Sequence, residues 1–159
     1  IAWPASGRSS LAVAGCRFDG AMLPPPTGQR RLGGCFTASQ APTLVVLHHP
    51  PVPVGSPWLD GIGLDNPEDL FAILDHQPQV RGLVFGHIHQ TFSAERNGVA
   101  LLVAPSTCIQ FLPGSQDFAL DPATPGFRWL ELHPDGGIDT GIERIAAYPD
   151  PLDLSGAGY

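Results

Sequence analysis

Lysine is absent from this 159-residue chain, and its eight basic residues are all arginine. Four of them (Arg8, Arg17, Arg30, Arg31) lie in residues 1–40 beside one acid, Asp19; the other four share residues 41–159 with fourteen acids. An acidic body without a basic stripe cannot neutralise a run of phosphates, so no nucleic-acid polymer is expected as a partner. No run of about 18 apolar residues occurs, which leaves no helical membrane span to expect. Three cysteines (Cys16, Cys35, Cys108) are odd in number and form no C-x-x-C pair, which speaks against a disulfide framework and a zinc ribbon. Leu11-Ala-Val-Ala-Gly-Cys16 has the look of a lipoprotein cleavage box. No basic region precedes it, however, and Arg8 interrupts the apolar run, so a reducing, cytoplasmic location is expected.

What is present suits one globular domain. Hydrophobic residues make up 43% of the chain, enough for a single core, while 19 Gly and 18 Pro predict short elements and many turns. Residues 1–41 form an atypical segment rich in Pro, Gly and Arg, with at most a strand at Leu11 to Ala14. From residue 42 to 145 the pattern is regular, and residues 146–159 read as a loosely held tail. Thr43 to Leu47 is a short β-branched run expected of a strand buried on both faces. The loop Pro50 to Asp65 can order only by packing on something else. Asn66 as N-cap, Pro67 in the first turn and Glu68 and Asp69 at the positive end of the dipole predict a helix that Pro78 stops. Val80 to Phe85 is a second apolar strand, so the order is a βαβ unit with parallel strands. Asn97-Gly98 predicts a hairpin between Thr91–Glu95 and Val99–Ala104, and Pro134-Asp-Gly-Gly137 separates Phe127–His133 from Ile138–Ile145. The fold class is therefore α/β, with an α+β character toward the C-terminus.

Both predicted parallel strands end in histidine: His48-His49-Pro50-Pro51 after the first, Gly86-His87-Ile88-His89 after the second. The C-terminal edge of such a sheet is where α/β proteins build their sites. In an extended segment His87 and His89 would share a face, with Ile88 turned away. Three imidazoles can thus converge, and neutral imidazole is a ligand for zinc, iron, manganese and nickel. A single histidine at a strand end is more often a surface or hydrogen-bonded residue; two flanked clusters on adjacent strands favour a metal.

The blocks H-H-P-P at 48–51 and G-H-I-H at 86–89 resemble signature blocks of the calcineurin-like metallophosphoesterases. With Trp58-Leu-Asp60, Ala104-Pro-Ser-Thr-Cys-Ile-Gln-Phe111, Pro125-Gly-Phe-Arg-Trp129 and Leu130-Glu-Leu-His-Pro-Asp-Gly136, the stretch from residue 42 onward is similar to the C-terminal half of bacterial class III 3',5'-cyclic-AMP phosphodiesterases. The resemblance implies part of a four-layer αββα sandwich, incomplete in this chain. It implies two divalent ions (iron, manganese, zinc or similar), with His48 and His87 on one and His89 on the other. His49 would be supporting or structural, and His76 and His133 surface residues. Ser106, Thr107 and Cys108 would line the site or form a buried turn, and Trp58 to Asp60 would shape a lid or an oligomer contact. The substrate implied is a small phosphodiester, a 3',5'-cyclic nucleotide opened to its 5'-monophosphate.

The family's other blocks are missing: there is no D-x-H, no Gly-Asp and no Gly-Asn in the sequence. Three histidines without a carboxylate cannot bridge two divalent cations, so a chain inactive alone, completed by an N-terminal half or paired with a second copy, is expected. A frame shift, alternative start or truncation near residue 41 would account for the change in charge. The alternative is a non-catalytic module that binds one metal or pairs with a partner. Metallo-β-lactamase-like sites would want Asp where Thr91 stands, and a cupin barrel is disfavoured by the helix from Asn66.

Overall fold

The computed structural model describes residues 40–148 together with residues 4–5, 8–9, 14–15, 36 and 153. Most of the 1–41 segment and the tail beyond Tyr148, apart from Asp153, lie outside the described residues. So does all but the end of the strand expected at Leu11 to Ala14. Its last residue belongs to β3 (Ala14–Gly15), and β1 (Pro4–Ala5) pairs antiparallel with β2 (Arg8–Ser9).

The expected βαβ unit is the centre of the molecule. β4 (Thr43–Val46) and β5 (Val80–Phe85) pair in parallel, with α2 (Pro67–Leu74) between them in sequence. β3 flanks β4, β7 (Val99–Val103) runs parallel to β5, and β6 (Phe92–Arg96) closes the other edge antiparallel. The sheet order is β3-β4-β5-β7-β6. Asn97 and Gly98 form the two-residue turn between β6 and β7 with φ of 52° and 77°, the left-handed pair that a type I′ hairpin demands.

Adjacent residues of β4 are buried on opposite faces. Val45 joins Leu70, Leu74, Leu83, Leu101 and Val103 in the main core with α2, whereas Leu44 lies outside that cluster, 1% exposed. On Leu44's side the ribbon β10 (Gly126–Leu132) and β11 (Ile138–Arg144) packs down. A Cβ on Gly82 would come within 2.6 Å of Leu44 Cδ1 and 2.8 Å of Ile138 Cδ1, so the bare backbone there lets β11 approach. Arg128 ties the ribbon down, donating to the carbonyls of Val103 and Phe92 and to the hydroxyls of Ser93 and Thr140. The centre of the sheet is thus buried on both faces while its edge strand β6 stays largely exposed, and strands and helices mix as an α/β reading requires.

Two local expectations are corrected. Asn66 stands at the N-cap of α2, but its amide donates to the Asp69 carboxylate instead of its oxygen capping a backbone N–H. Pro67, already shaped for the first turn, makes that cap dispensable. The Pro/Gly loop holds a one-turn helix, α1 (Pro57–Asp60). It forms because the Asp60 carboxylate accepts from the N–H groups of Val54 (2.6 Å) and Gly55 (3.2 Å), and Leu59 is fully buried beneath it. No helix among the described residues is long and apolar enough to cross a membrane.

Candidate metal centre

The parallel pairing of β4 and β5 brings their histidine-bearing ends together. Beyond the strands the ladder continues, Leu47 N–H donating to Val84 O and Gly86 N–H to His48 O, each at 3.0 Å. His48 Nε2 consequently lies 3.1 Å from His87 Nδ1. His49 closes the group: its ring centroid is 4.9 Å from that of His48 and 4.5 Å from that of His87. One ring nitrogen from each of His48, His49 and His87 falls within 4.8 Å of the others, and no carboxylate of the described residues joins them.

The segment that carries His87 and His89 is not extended. Both residues take left-handed backbone, φ 71° and 47°, on either side of the fully buried Ile88. Anchoring Ile88 in the core while Ile88 N–H bonds to Gly86 O at 2.9 Å forces the chain to turn at both neighbours. For a non-glycine residue each such turn costs about 1–3 kcal/mol, so the surroundings must hold it. The turn, rather than strand alternation, directs the two rings.

His89 stands apart from the close trio. Its ring stacks on Phe111, centroids 4.4 Å apart and 9° from parallel, and its Nδ1 is buried without a hydrogen-bonding partner. The Ile109 carbonyl lies near the ring and favours a proton on it without bonding geometry at Nδ1. His48, His87 and His89 nonetheless line one cavity of about 590 Å³, with Trp58, Leu59, Ile62, Phe111 and Phe118 as its apolar wall. Trp58, Phe111 and Phe118 meet edge to face at 5.2–5.6 Å. Of that wall the sequence pointed to Trp58 and Leu59 as part of a lid or contact segment and to Phe111 only as the end of a matching block; Phe118 had no signal, because it comes from the segment between β8 (Gln110–Phe111) and β9 (Leu120–Asp121), far along the chain.

Burial, then the neighbouring His49, His48 and His89, push the His87 pKa down to about 4. His49 is lowered by burial and by His48, against a smaller pull upward from Asp65, and His89 is lowered chiefly by burial. These rings are therefore neutral at pH 7, the state a cation requires of imidazole. The donor set fits one divalent ion by its chemistry; no bridging carboxylate for a second is present among the described residues.

The remaining candidates lie elsewhere. Ser106 accepts from Cys108 N–H and its backbone is clasped by the Gln110 amide, with Thr107 and Cys108 exposed; none of the three lines the imidazole cavity. His76 is exposed, and His133 pairs with Asp139 at 2.8 Å on the surface.

No family model matches the chain. It is 53% identical over 116 residues to a 3',5'-cyclic adenosine monophosphate phosphodiesterase (CpdA) of Pseudomonas aeruginosa, covering 73% of this chain and 43% of that protein. It is 50% identical over 112 residues to a 3',5'-cyclic-nucleotide phosphodiesterase of a Nostoc species (70% and 42%), and 43% identical over 122 residues to the Escherichia coli K12 CpdA (77% and 44%). The chain thus spans less than half the length of these relatives. A solved dimetal phosphatase from Danio rerio is similar at 18% identity and a TM-score of 0.48, over 66% of this chain and 33% of that one. Identity of this order with several bacterial phosphodiesterases bears out the resemblance carried by H-H-P-P and G-H-I-H: over some 70–77% of its length this chain is related in sequence to part of the bacterial cyclic-nucleotide phosphodiesterases.

Proposed function

We propose that this chain supplies the imidazole side of a metal-dependent phosphodiesterase centre that opens a 3',5'-cyclic nucleotide to its 5'-monophosphate. The observation that carries the reading is the trio of ring nitrogens of His48, His49 and His87 within 4.8 Å, with His89 on the same cavity. His48 and His87 would hold one divalent cation, with His49 close enough to join them, and His89 would face a second. Bound there, such cations lower the pKa of a coordinated water and offset charge on the phosphoryl oxygens. The chain's own contribution is to crowd its imidazoles on one rim, where burial keeps His87, His49 and His89 neutral, and to border that rim with Trp58, Phe111 and Phe118, which exclude water on one side. The carboxylates that would bridge two ions must then come from outside residues 40–148.

Hydrolysis of bis(p-nitrophenyl) phosphate with added manganese tests this. Turnover is expected when the chain is combined with the part of a relative that it does not match, and no turnover in that combination removes the reading. A second reading, a module that binds one metal without catalysis, is favoured by the carboxylate-free donor set. One bound ion per chain in elemental analysis, with no esterase activity in either setting, selects it.

A further inference from the structure

Ser56 precedes α1 at the position where a serine ordinarily caps the helix, yet its side chain makes no capping bond. Its hydroxyl points into the interior instead, and the residue is 0% exposed. There Oγ accepts from Gln90 Nε2 at 3.0 Å and from Gly114 N–H at 2.9 Å, while its own hydrogen faces Gln90 Oε1 at 3.5 Å. The second Nε2 hydrogen of Gln90, itself 5% exposed, reaches the Leu112 carbonyl at 3.4 Å. Three segments distant in sequence are tied by this buried knot: the Pro/Gly loop, the turn that carries His87 and His89, and the chain following Phe111.

Gln90 immediately follows His89, whose left-handed backbone would relax if nothing opposed it. Ile88 fixes one side of that turn through the core. On the other side the restraints are the bond from Phe111 N–H to His89 O, 3.2 Å, and the Gln90 knot. We propose that Ser56 and Gln90 are a positioning pair, a buried hydrogen-bonded latch that holds the His87–His89 turn in its left-handed form and so keeps both rings aimed at the cation site. The proposal rests on the cation-binding reading above, and it assigns a use to two polar residues that touch no candidate ligand atom.

The test is Co(II) binding by the full chain, read by visible absorption and titration, for wild type, Ser56→Ala, Gln90→Leu and the double variant. Loss of a group that orients a ligand lowers metal affinity about 10- to 100-fold. Each single variant is expected to weaken Co(II) binding by that factor and alter its ligand-field spectrum with far-ultraviolet circular dichroism unchanged, and the double variant to do no worse, since the pair acts as one unit. Wild-type affinity and spectrum in the singles would overturn the proposal. Should Gln90→Leu fail to fold, Ser56→Ala, which deletes a single oxygen, is read in the same way. If the wild type takes up no Co(II), the cation reading itself falls, and the latch is then judged by hydrogen exchange in the metal-free chain. Faster exchange of the Ile88 and Phe111 amides in Ser56→Ala supports it; unchanged rates overturn it.

Discussion

His87 Nδ1 and His48 Nε2 lie 3.1 Å apart across 39 residues of sequence. At that separation one nitrogen carries a hydrogen and the other a lone pair. A cation shared by the two rings would take the place of that hydrogen, so metal and proton compete for the same point. The consequences can be measured.

His48→Ala removes a donor from the group and leaves β4 intact, since the side chain is exposed. Affinity for Zn(II) or Co(II) should fall by more than about 100-fold, beyond the effect of losing an orienting group. Competition with a chromophoric chelator measures it, and a change under twofold would remove His48 from the site.

Acid should weaken the metal-free fold. His87 titrates near 4 in the folded chain against 6.5 unfolded, so the unfolded state takes up its proton first. The contribution of His87 is then full above pH 6.5 and declines as pH falls from 6.5 toward about 4, with His49 and His89 shifted in the same direction. Urea midpoints at pH 7.5, 5.5 and 4.5 should fall in that order, and the slope should flatten in His87→Gln. His133 acts oppositely: its bond to Asp139 raises its pKa, so that contribution is present below 6.5 and lost as pH climbs through the raised value.

Arg128 holds the β10–β11 ribbon on the sheet through four hydrogen bonds, two to carbonyls. Arg128→Met keeps much of the stem's apolar contact but strands the Val103 and Phe92 oxygens, at a cost of about 2 kcal/mol. Arg128→Lys should recover less than half of it, because one ammonium cannot reproduce the planar fork. Chemical denaturation decides, and a loss below about 0.5 kcal/mol in the methionine variant would mean the ribbon is held by packing alone.

Removing the stacked neighbour of His89 probes the other wall of the cavity. Phe111→Leu should destabilise the fold by about 1 kcal/mol, through lost ring contacts with His89, Trp58 and Phe118. The ring protons of His89 should shift in the proton NMR spectrum by losing the face of an aromatic neighbour. An unmoved His89 signal would mean that the stack is not populated in solution.

Local chemistry by itself determined a good part of this protein. The β-branched run from Thr43, the acidic first turn after Pro67 and the Asn97-Gly98 pair each act within a few residues, so the βαβ unit and its neighbouring hairpin are legible in the sequence itself. So were the histidines at two strand ends, because parallel pairing obliges those ends to meet. Only the tertiary structure decided how the rings are aimed. Burying Ile88 turned a segment that reads as extended into a left-handed bend, which strand periodicity cannot anticipate. Packing likewise brought His49 beside His87, drew Phe111 and Phe118 around the cavity, and turned the Ser56 hydroxyl into the interior. Those outcomes depend on contacts between residues dozens of positions apart, where burial outweighs local preference and no spacing in the chain records the result.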